Sequence, residues 1–209
     1  MNTVIFAGPS ISHGELRQVT SAKIAPPVKR GDLHLYAEFD TFVIIDGEFG
    51  QNLSVSPKEI LRLLDKGKTI VGASSMGALR ASELDSYGMI GVGWVYERFA
   101  RTGVRRDDDV ALAYSPLDFT PVSIPTVDVE YWVTLLREQN LISVAERTTI
   151  LKTARKIFFA ERTKARLLRA LSNAMGETRL QGLLEYTSGD LPNIKYQDAQ
   201  RAVQFADSM

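Results

Sequence analysis

The sequence has no cysteine and only two histidines, His13 and His34, among its 209 residues. The absence of cysteine excludes disulfide bonds, thiolate-bound zinc, iron–sulfur clusters, a thiol nucleophile and a persulfide formed on this chain. Two histidines are too few for a dedicated histidine-metal site, so we predict no bound metal. Any chemistry must then come from hydroxyls, carboxylates, lysines and backbone amides.

The sequence also lacks a long apolar run. Nothing approaches the roughly 18 consecutive apolar residues of a membrane-spanning helix, and the apolar residues 4–7 lack the length and basic lead of a signal peptide. We therefore expect a soluble, cytoplasmic protein. The 25 Lys/Arg and 25 Asp/Glu balance to a net charge of zero, which disfavours nucleic acid as a partner.

The first half of the chain alternates strand and helix patterns. Three fully apolar runs are typical of buried parallel strands and lie at residues 4–7, 42–45 and 69–73. Ser56, Pro57 and Glu59 predict a helix that begins with a capping box and has proline at its first position. A second helix is predicted after Ser75, and a further strand is predicted at 110–114.

From residue 126 onward the spacing is helical, with helices predicted at 127–136, 143–159, 161–174, 178–187 and 195–206. We predict an α/β domain over 1–125, with a small, mostly parallel sheet and flanking helices, followed by an all-helical C-terminal module over 126–209. Residues 143–179 contain nine Lys/Arg against three Glu. This basic segment is either a solvated helix face or a docking surface, for an acidic protein rather than for the weaker alternative of nucleic acid.

The strongest chemical signal is the segment 72–77, where an apolar strand runs into two serines and then into a helix. Ser75 followed by Gly77 matches part of a nucleophile elbow, with alanine in place of the first glycine. A serine at this turn lies at the positive end of the helix, where the amide of Met76 can stabilise an oxyanion. Serines also cap helices, and Ser74 is an alternative nucleophile.

Lys58 is the candidate proton acceptor for this serine. It lies in the first turn of the capped helix, where the dipole disfavours a cation by ~0.3–1 kcal/mol and so favours the neutral amine. Lys58 follows the second strand and Ser75 follows the third, so both belong at the carboxyl edge of a parallel sheet, where open α/β folds hold their sites. The alternative is a surface lysine without a role.

Other residues are expected at the same edge, namely Gly8 and Ser10 after the first strand and Asp46 and Gly47 after the second. An amide near Ser10 is a second candidate oxyanion donor. Arg80 and Glu83 lie three apart on the predicted helix and are expected to pair and hold it in place. A phosphate-binding role for the Gly8–Ser10 turn is weaker, because the glycine spacing of nucleotide-binding loops is missing.

Several short segments occur in an order that resembles the TfuA-like family, and together they cover roughly residues 3–115. They are FAGPS at 6–10, PP at 26–27, RGD at 30–32, IDGEF at 45–49, KEIL at 58–61, GASSMGALRA at 72–81, EL at 83–84 and GMIGVG at 88–93. The sequence departs from the family pattern at two positions. Pro57 stands where the family has histidine, and Asp109 stands where it has glutamate.

The resemblance implies a role in sulfur transfer. TfuA-like proteins are partners of YcaO enzymes, which use ATP to activate a peptide backbone amide so that sulfur replaces its oxygen, as in the biosynthesis of ribosomally made, modified peptides (RiPP biosynthesis). The resemblance implies that this chain hydrolyses the C-terminal thiocarboxylate of a ThiS-type ubiquitin-like carrier and so supplies sulfide for thioamidation of a precursor peptide or protein.

The resemblance also implies roles for individual residues. Ser75 is the expected nucleophile of a Ser–Lys dyad and Lys58 its base, and no cofactor is expected beyond the ATP used by the YcaO partner. The expected oxyanion or carrier-tail contacts are Met76, Ser10, Gly8, Asp46, Gly47 and Gly77, with Gly72 completing a glycine-rich mouth. The alternative is a non-catalytic adaptor that docks carrier, peptide and YcaO enzyme.

Overall fold

The computed structural model describes residues 2–209 and contains one five-stranded sheet. Its strands are β1 (Thr3–Phe6), β2 (Lys23–Ala25), β3 (Thr41–Ile44), β4 (Thr69–Ala73) and β5 (Ile90–Val92). The strand order is β2-β1-β3-β4-β5, and every neighbouring pair is parallel. This confirms the predicted α/β class and the three predicted strands. β2 and β5 have only three residues each, too few for a periodic pattern to show.

Ten α-helices accompany the sheet within residues 2–209. They are α1 (His13–Val19), α2 (Pro57–Leu64), α3 (Met76–Leu84), α4 (Trp94–Thr102), α5 (Asp107–Val110), α6 (Thr126–Glu138), α7 (Val144–Arg155), α8 (Lys164–Met175), α9 (Glu177–Glu185) and α10 (Ile194–Asp207). Short 3₁₀ helices lie at Asp32–Tyr36, Asp85–Tyr87 and Phe159–Glu161. The predicted capping box of α2 forms, and the same device begins α1 and α7. None of these helices has the length and apolar character that a membrane span requires.

The strand predicted at 110–114 is wrong. The start of this segment belongs to the short helix α5, and beyond it Tyr114 makes an isolated antiparallel bridge to Pro121. Pro121 has no amide hydrogen with which to extend a ladder. The N–H of Ala113 donates instead to the side chain of Ser123, at 2.8 Å, and its carbonyl accepts the N–H of Val122, also at 2.8 Å. The apolar run therefore pairs with residues 121–123 and does not join the sheet.

Two helices cover one face of the sheet. Successive strand residues face opposite sides, and Ile5, Val43 and Val71 lie on the same side in one buried cluster. This cluster also contains Leu16 of α1 and Val203 of α10. The last helix of the chain therefore packs across the strands that the first half supplies.

The residues form two compact units. The first runs up to Asp107 and also includes 116–120 and 195–209, whereas the second comprises 108–115 and 121–194. The second unit has its own core of helix residues, among them Trp132, Leu136, Ile150, Leu167 and Leu183. Compactness does not by itself show that a unit folds independently, so the division into domains 1–125 and 126–209 stays a prediction.

Ion pairs neutralise much of the basic segment 143–179 within the second unit. Arg155 Nη2 lies 2.6 Å from Glu130 Oε1 and 3.8 Å from Asp109 Oδ1, and the buried Arg162 donates to three backbone carbonyls. The second unit as a whole contains ten Lys/Arg and ten Asp/Glu. Docking of an acidic partner stays a prediction for the exposed residues Arg147, Lys152, Lys156 and Arg169.

A buried carboxylate on α10 caps α4. Asp198 accepts hydrogen bonds from the N–H groups of Trp94, at 2.9 Å, and Val95, at 2.8 Å. Gly93 has φ 93° and no side chain, and the carboxylate fills the space where a Cβ would stand. Burial raises the pKa of Asp198 to about 6, against the two backbone hydrogen bonds and Arg201, which lower it.

This raised pKa predicts a pH-dependent stability. Because the folded pKa lies above the unfolded value of about 3.9, the folded chain binds more protons than the unfolded chain between about pH 4 and pH 6. We expect Asp198 to lower the free energy of unfolding by on the order of 2–3 kcal/mol as the pH rises through this window. Urea titrations at a series of pH values measure this decrease, and Asp198→Asn should remove it. A variant whose free energy of unfolding falls with pH as steeply as that of wild type would contradict the prediction.

Candidate functional site

The turn between β4 and α3 has a strained backbone. Ser74 has φ 65°, in the left-handed region that residues other than glycine rarely adopt. The N–H of Ser75 donates across it to the carbonyl of Ala73, at 2.7 Å, which closes a three-residue γ-turn. The chain thus passes abruptly from the carboxyl end of β4 into α3, and this is the sharp strand-to-helix turn that the sequence predicts.

The two serine hydroxyls at this turn have no structural capping role. Ser75 is the N-cap residue of α3, yet its side chain makes no capping hydrogen bond, unlike the serines that cap α1, α2 and α7. Ser74 is fully buried, and within residues 2–209 its Oγ has no hydrogen-bond partner. Ser75 is 2% exposed. Helix capping therefore does not explain either serine.

Three glycines let α3 lie close to the sheet. A Cβ on Gly77 would overlap the carbonyl of Ile44, and a Cβ on Gly72 would overlap the carbonyl of Gly77. A Cβ on Gly47 would lie 2.8 Å from Cγ of Met76. A side chain at any of these positions would therefore overlap the protein's own atoms, and the contact of these glycines with a carrier tail stays a prediction.

The predicted oxyanion donors have different hydrogen-bond partners. The N–H groups of Gly8 and Ser10 both donate to Asp46 Oδ2, at 2.9 Å and 3.0 Å, and the Ser10 hydroxyl donates to Asp46 Oδ1 at 2.6 Å. These two amides are thus directed at a buried carboxylate rather than at a substrate oxygen. The amide of Met76 is the first of α3, where helix N–H groups have no intrahelical partner, and it stays the candidate donor.

Lys58 lies in the first turn of α2, and its side chain is exposed. Arg80 connects this end of α2 to α3, because its Nε donates to the carbonyl of Val55 at 2.9 Å. Arg80 Nη1 also lies 2.9 Å from Glu83 Oε2, so the predicted pair forms. The hydrogen bond from Arg80 to Val55 holds α3 to the residues immediately before α2, and Glu83 fixes the guanidinium that makes it.

Glu59 gives the start of α2 a second anchor. One carboxylate oxygen accepts the N–H of Ser56 at 2.8 Å, and the other accepts the N–H of Gly31. Burial acts to raise the pKa of Glu59, but the hydrogen bonds from Ser56 and Gly31 outweigh it and lower the pKa below its usual value. The carboxylate therefore connects the turn at 30–32 to the helix that carries Lys58.

The two histidines differ in their surroundings. Nε2 of His13 is 2.8 Å from the carbonyl of Ala7 at the end of β1, and His34 is exposed on its 3₁₀ helix. Within residues 2–209 no group of three or more His, Asp or Glu side chains is arranged to hold a metal ion.

Sequence reasoning missed Lys195. It lies near the start of α10, is 2% exposed, and its Nζ is 4.0 Å from Asp46 Oδ1. A lone lysine in a helical segment is normally interpreted as a surface residue. A signal was nevertheless present, because Lys195 shares a helical stripe with Ala199, Ala202 and Ala206, all of which are buried.

The fold and these side chains define an α/β protein with a serine-bearing strand-to-helix turn at the carboxyl edge of a parallel sheet. The strand order β2-β1-β3-β4-β5 reverses direction between β1 and β3, and open sheets of this kind bind ligands at that point. The profile of one family, described as TfuA-like protein, matches residues 46–163, which is more than half of the chain. The chain belongs to the TfuA-like family. No curated protein matches it.

Proposed function

We propose that this chain hydrolyses the C-terminal thiocarboxylate of a ThiS-type carrier protein and supplies sulfide to a YcaO-type enzyme for thioamidation of a peptide or protein. Family membership supports the association with peptide thioamidation. The observation that carries the hydrolytic part is Ser75, a hydroxyl on a strained turn at the start of a helix that does not cap that helix.

The reaction follows acyl-transfer chemistry. The amine of Lys58 takes the proton of the Ser75 hydroxyl as Oγ bonds to the terminal carbonyl carbon of the carrier. The amide of Met76 stabilises the oxyanion. The C–S bond then breaks, and Lys58 gives its proton to the departing sulfur, which leaves as hydrosulfide. Water attacks the resulting ester; one of its protons goes to the Ser75 oxygen and the other to solvent through Lys58, and the carrier leaves as its carboxylate.

The test is direct. The full chain is incubated with a thiocarboxylated ThiS-type carrier, and mass spectrometry follows the conversion of thiocarboxylate into carboxylate while a sulfide probe measures release. Conversion above the rate of the carrier alone is expected. Conversion at the background rate would overturn the proposed hydrolysis.

Replacing Lys58 tests the base. General-base catalysis contributes about 10²–10⁴-fold, so Lys58→Ala is expected to lower the hydrolysis rate about a hundredfold or more. The matched control is Lys66→Ala, since Lys66 is an exposed lysine just beyond the other end of α2. Equal rates for Lys58→Ala and Lys66→Ala would exclude Lys58 as the base.

A second candidate function is a non-catalytic adaptor that docks carrier, peptide and YcaO enzyme. The burial of both serines favours it, because a nucleophile has to meet its substrate and Ser75 is only 2% exposed. If the chain is an adaptor, the variants Ser75→Ala and Lys58→Ala should both support thioamidation by the partner enzyme at the wild-type rate, with the carrier as the source of sulfide. Loss of thioamidation in both variants would exclude it.

A further inference from the structure

Lys195 is a charged side chain in an apolar position. It lies on the stripe of α10 that faces the sheet, and its side chain is 2% exposed. Its Nζ lies 4.0 Å from Asp46 Oδ1, and that carboxylate is equally buried. Replacing both members of a buried ion pair by neutral residues is often harmless to stability, whereas removing one member is strongly destabilising. Stability alone therefore does not explain why the pair is present.

Asp46 connects two turns at the carboxyl edge of the sheet. Its carboxylate accepts three hydrogen bonds from Gly8 and Ser10, in the turn that follows β1. The residue before it, Ile45, accepts the N–H of Gly77 at 3.3 Å and so contacts the first turn of α3. Asp46 thus lies between the turn after β1 and the serine turn after β4, where the strand order reverses.

We propose that Lys195 is a positioning residue that acts through Asp46. The ammonium orients the buried carboxylate, and the carboxylate in turn fixes the Gly8–Ser10 turn at the same carboxyl edge of the sheet that carries Ser75. The inference rests on the proposed hydrolysis, for which it adds a residue outside the matched segment 46–163. Neither Lys195 nor Asp46 forms or breaks a bond to the substrate.

The test separates positioning from stability by removing both charges together. Lys195→Met alone leaves an uncompensated carboxylate and is expected to unfold at lower temperature, whereas Asp46→Asn/Lys195→Met should regain most of the lost stability. The hydrolysis of a thiocarboxylated ThiS-type carrier is then measured per mole of folded double variant. We expect kcat to stay about 10–100-fold below wild type, because small displacements of a site have effects of this size, with KM for the carrier changed much less.

Each outcome decides the assignment. A double variant with wild-type stability and wild-type kcat would show a purely structural pair and overturn it. If the double variant does not fold, Ser10→Ala decides, since it keeps both charges and removes the hydroxyl bond to Asp46. A kcat reduced about tenfold supports the assignment, and an unchanged kcat overturns it. No hydrolysis by the wild-type chain would overturn the proposed function, and this assignment with it.

Discussion

Ser75→Ala is expected to abolish thiocarboxylate hydrolysis while leaving the fold intact. Removing a serine nucleophile leaves only the contribution of binding and of the oxyanion donor, so the rate should fall at least about a thousandfold. The fold should tolerate the change because the Ser75 side chain makes no capping hydrogen bond to α3. Mass spectrometry of the carrier measures the rate, and the melting temperature should remain near that of wild type.

Ser74→Ala is the matched control at the neighbouring position. Its Oγ is buried without a partner in the described part of the chain, and losing an unsatisfied buried hydroxyl does not remove a hydrogen bond. We expect this variant to fold at least as stably as wild type and to keep its hydrolysis. The reverse result, with activity lost in Ser74→Ala and kept in Ser75→Ala, would make Ser74 the nucleophile and contradict the prediction.

Gly77→Ala is expected to destabilise the fold strongly. A Cβ at this position would overlap the backbone carbonyl of Ile44, and a strand within the sheet cannot move aside as a flexible side chain would. The α3 helix must then shift away from β3 and β4, which we expect to lower the free energy of unfolding by about 3 kcal/mol. The melting temperature should fall by about 6–12 °C, and hydrolysis should fall with it because Ser75 moves with the helix.

Gly182→Ala provides the opposite control. Gly182 is also a helical glycine, within α9, but a Cβ there would meet nothing within 4 Å. Alanine in an open helical position is more favourable than glycine by about 0.5–1 kcal/mol, so this variant should melt slightly higher than wild type. Chemical denaturation measures the free energy of unfolding of both alanine variants. Equal changes in the two would show that the close packing of α3 does not require glycine at position 77.

The parts of the fold that short-range sequence patterns determine were predictable. The strands at 4–7, 42–45 and 69–73 are continuous apolar runs, and the capping box at Ser56 and Glu59 is a signal within four residues. The serine turn was predictable for the same reason, because small residues between a strand and a helix mark a sharp turn. Local patterns were thus sufficient for the sheet centre and for one side of the site.

What depends on distant parts of the chain was not predictable in this way. The hydrogen bonds from the amides of Gly8 and Ser10 to Asp46 are visible only in the folded structure, because the partners are more than thirty residues apart in the sequence. The contact between Lys195 and Asp46 joins residues still more distant along the chain. For this reason a predicted oxyanion donor, Ser10, and a lysine that the sequence did not single out both belong to one buried cluster.

The return of α10 to the sheet has a consequence for the order in which the protein can be made. One apolar face of the sheet, including Ile5, Val43 and Val71, is covered in part by Val203 and its neighbours. During translation the strands that form this face are synthesised first. The α10 residues that cover it follow only after residues 93–194 have been added. Exposed apolar strands of this kind aggregate readily. The nascent chain therefore exposes this apolar face over a long interval, which ends only when residues 195–206 have been synthesised.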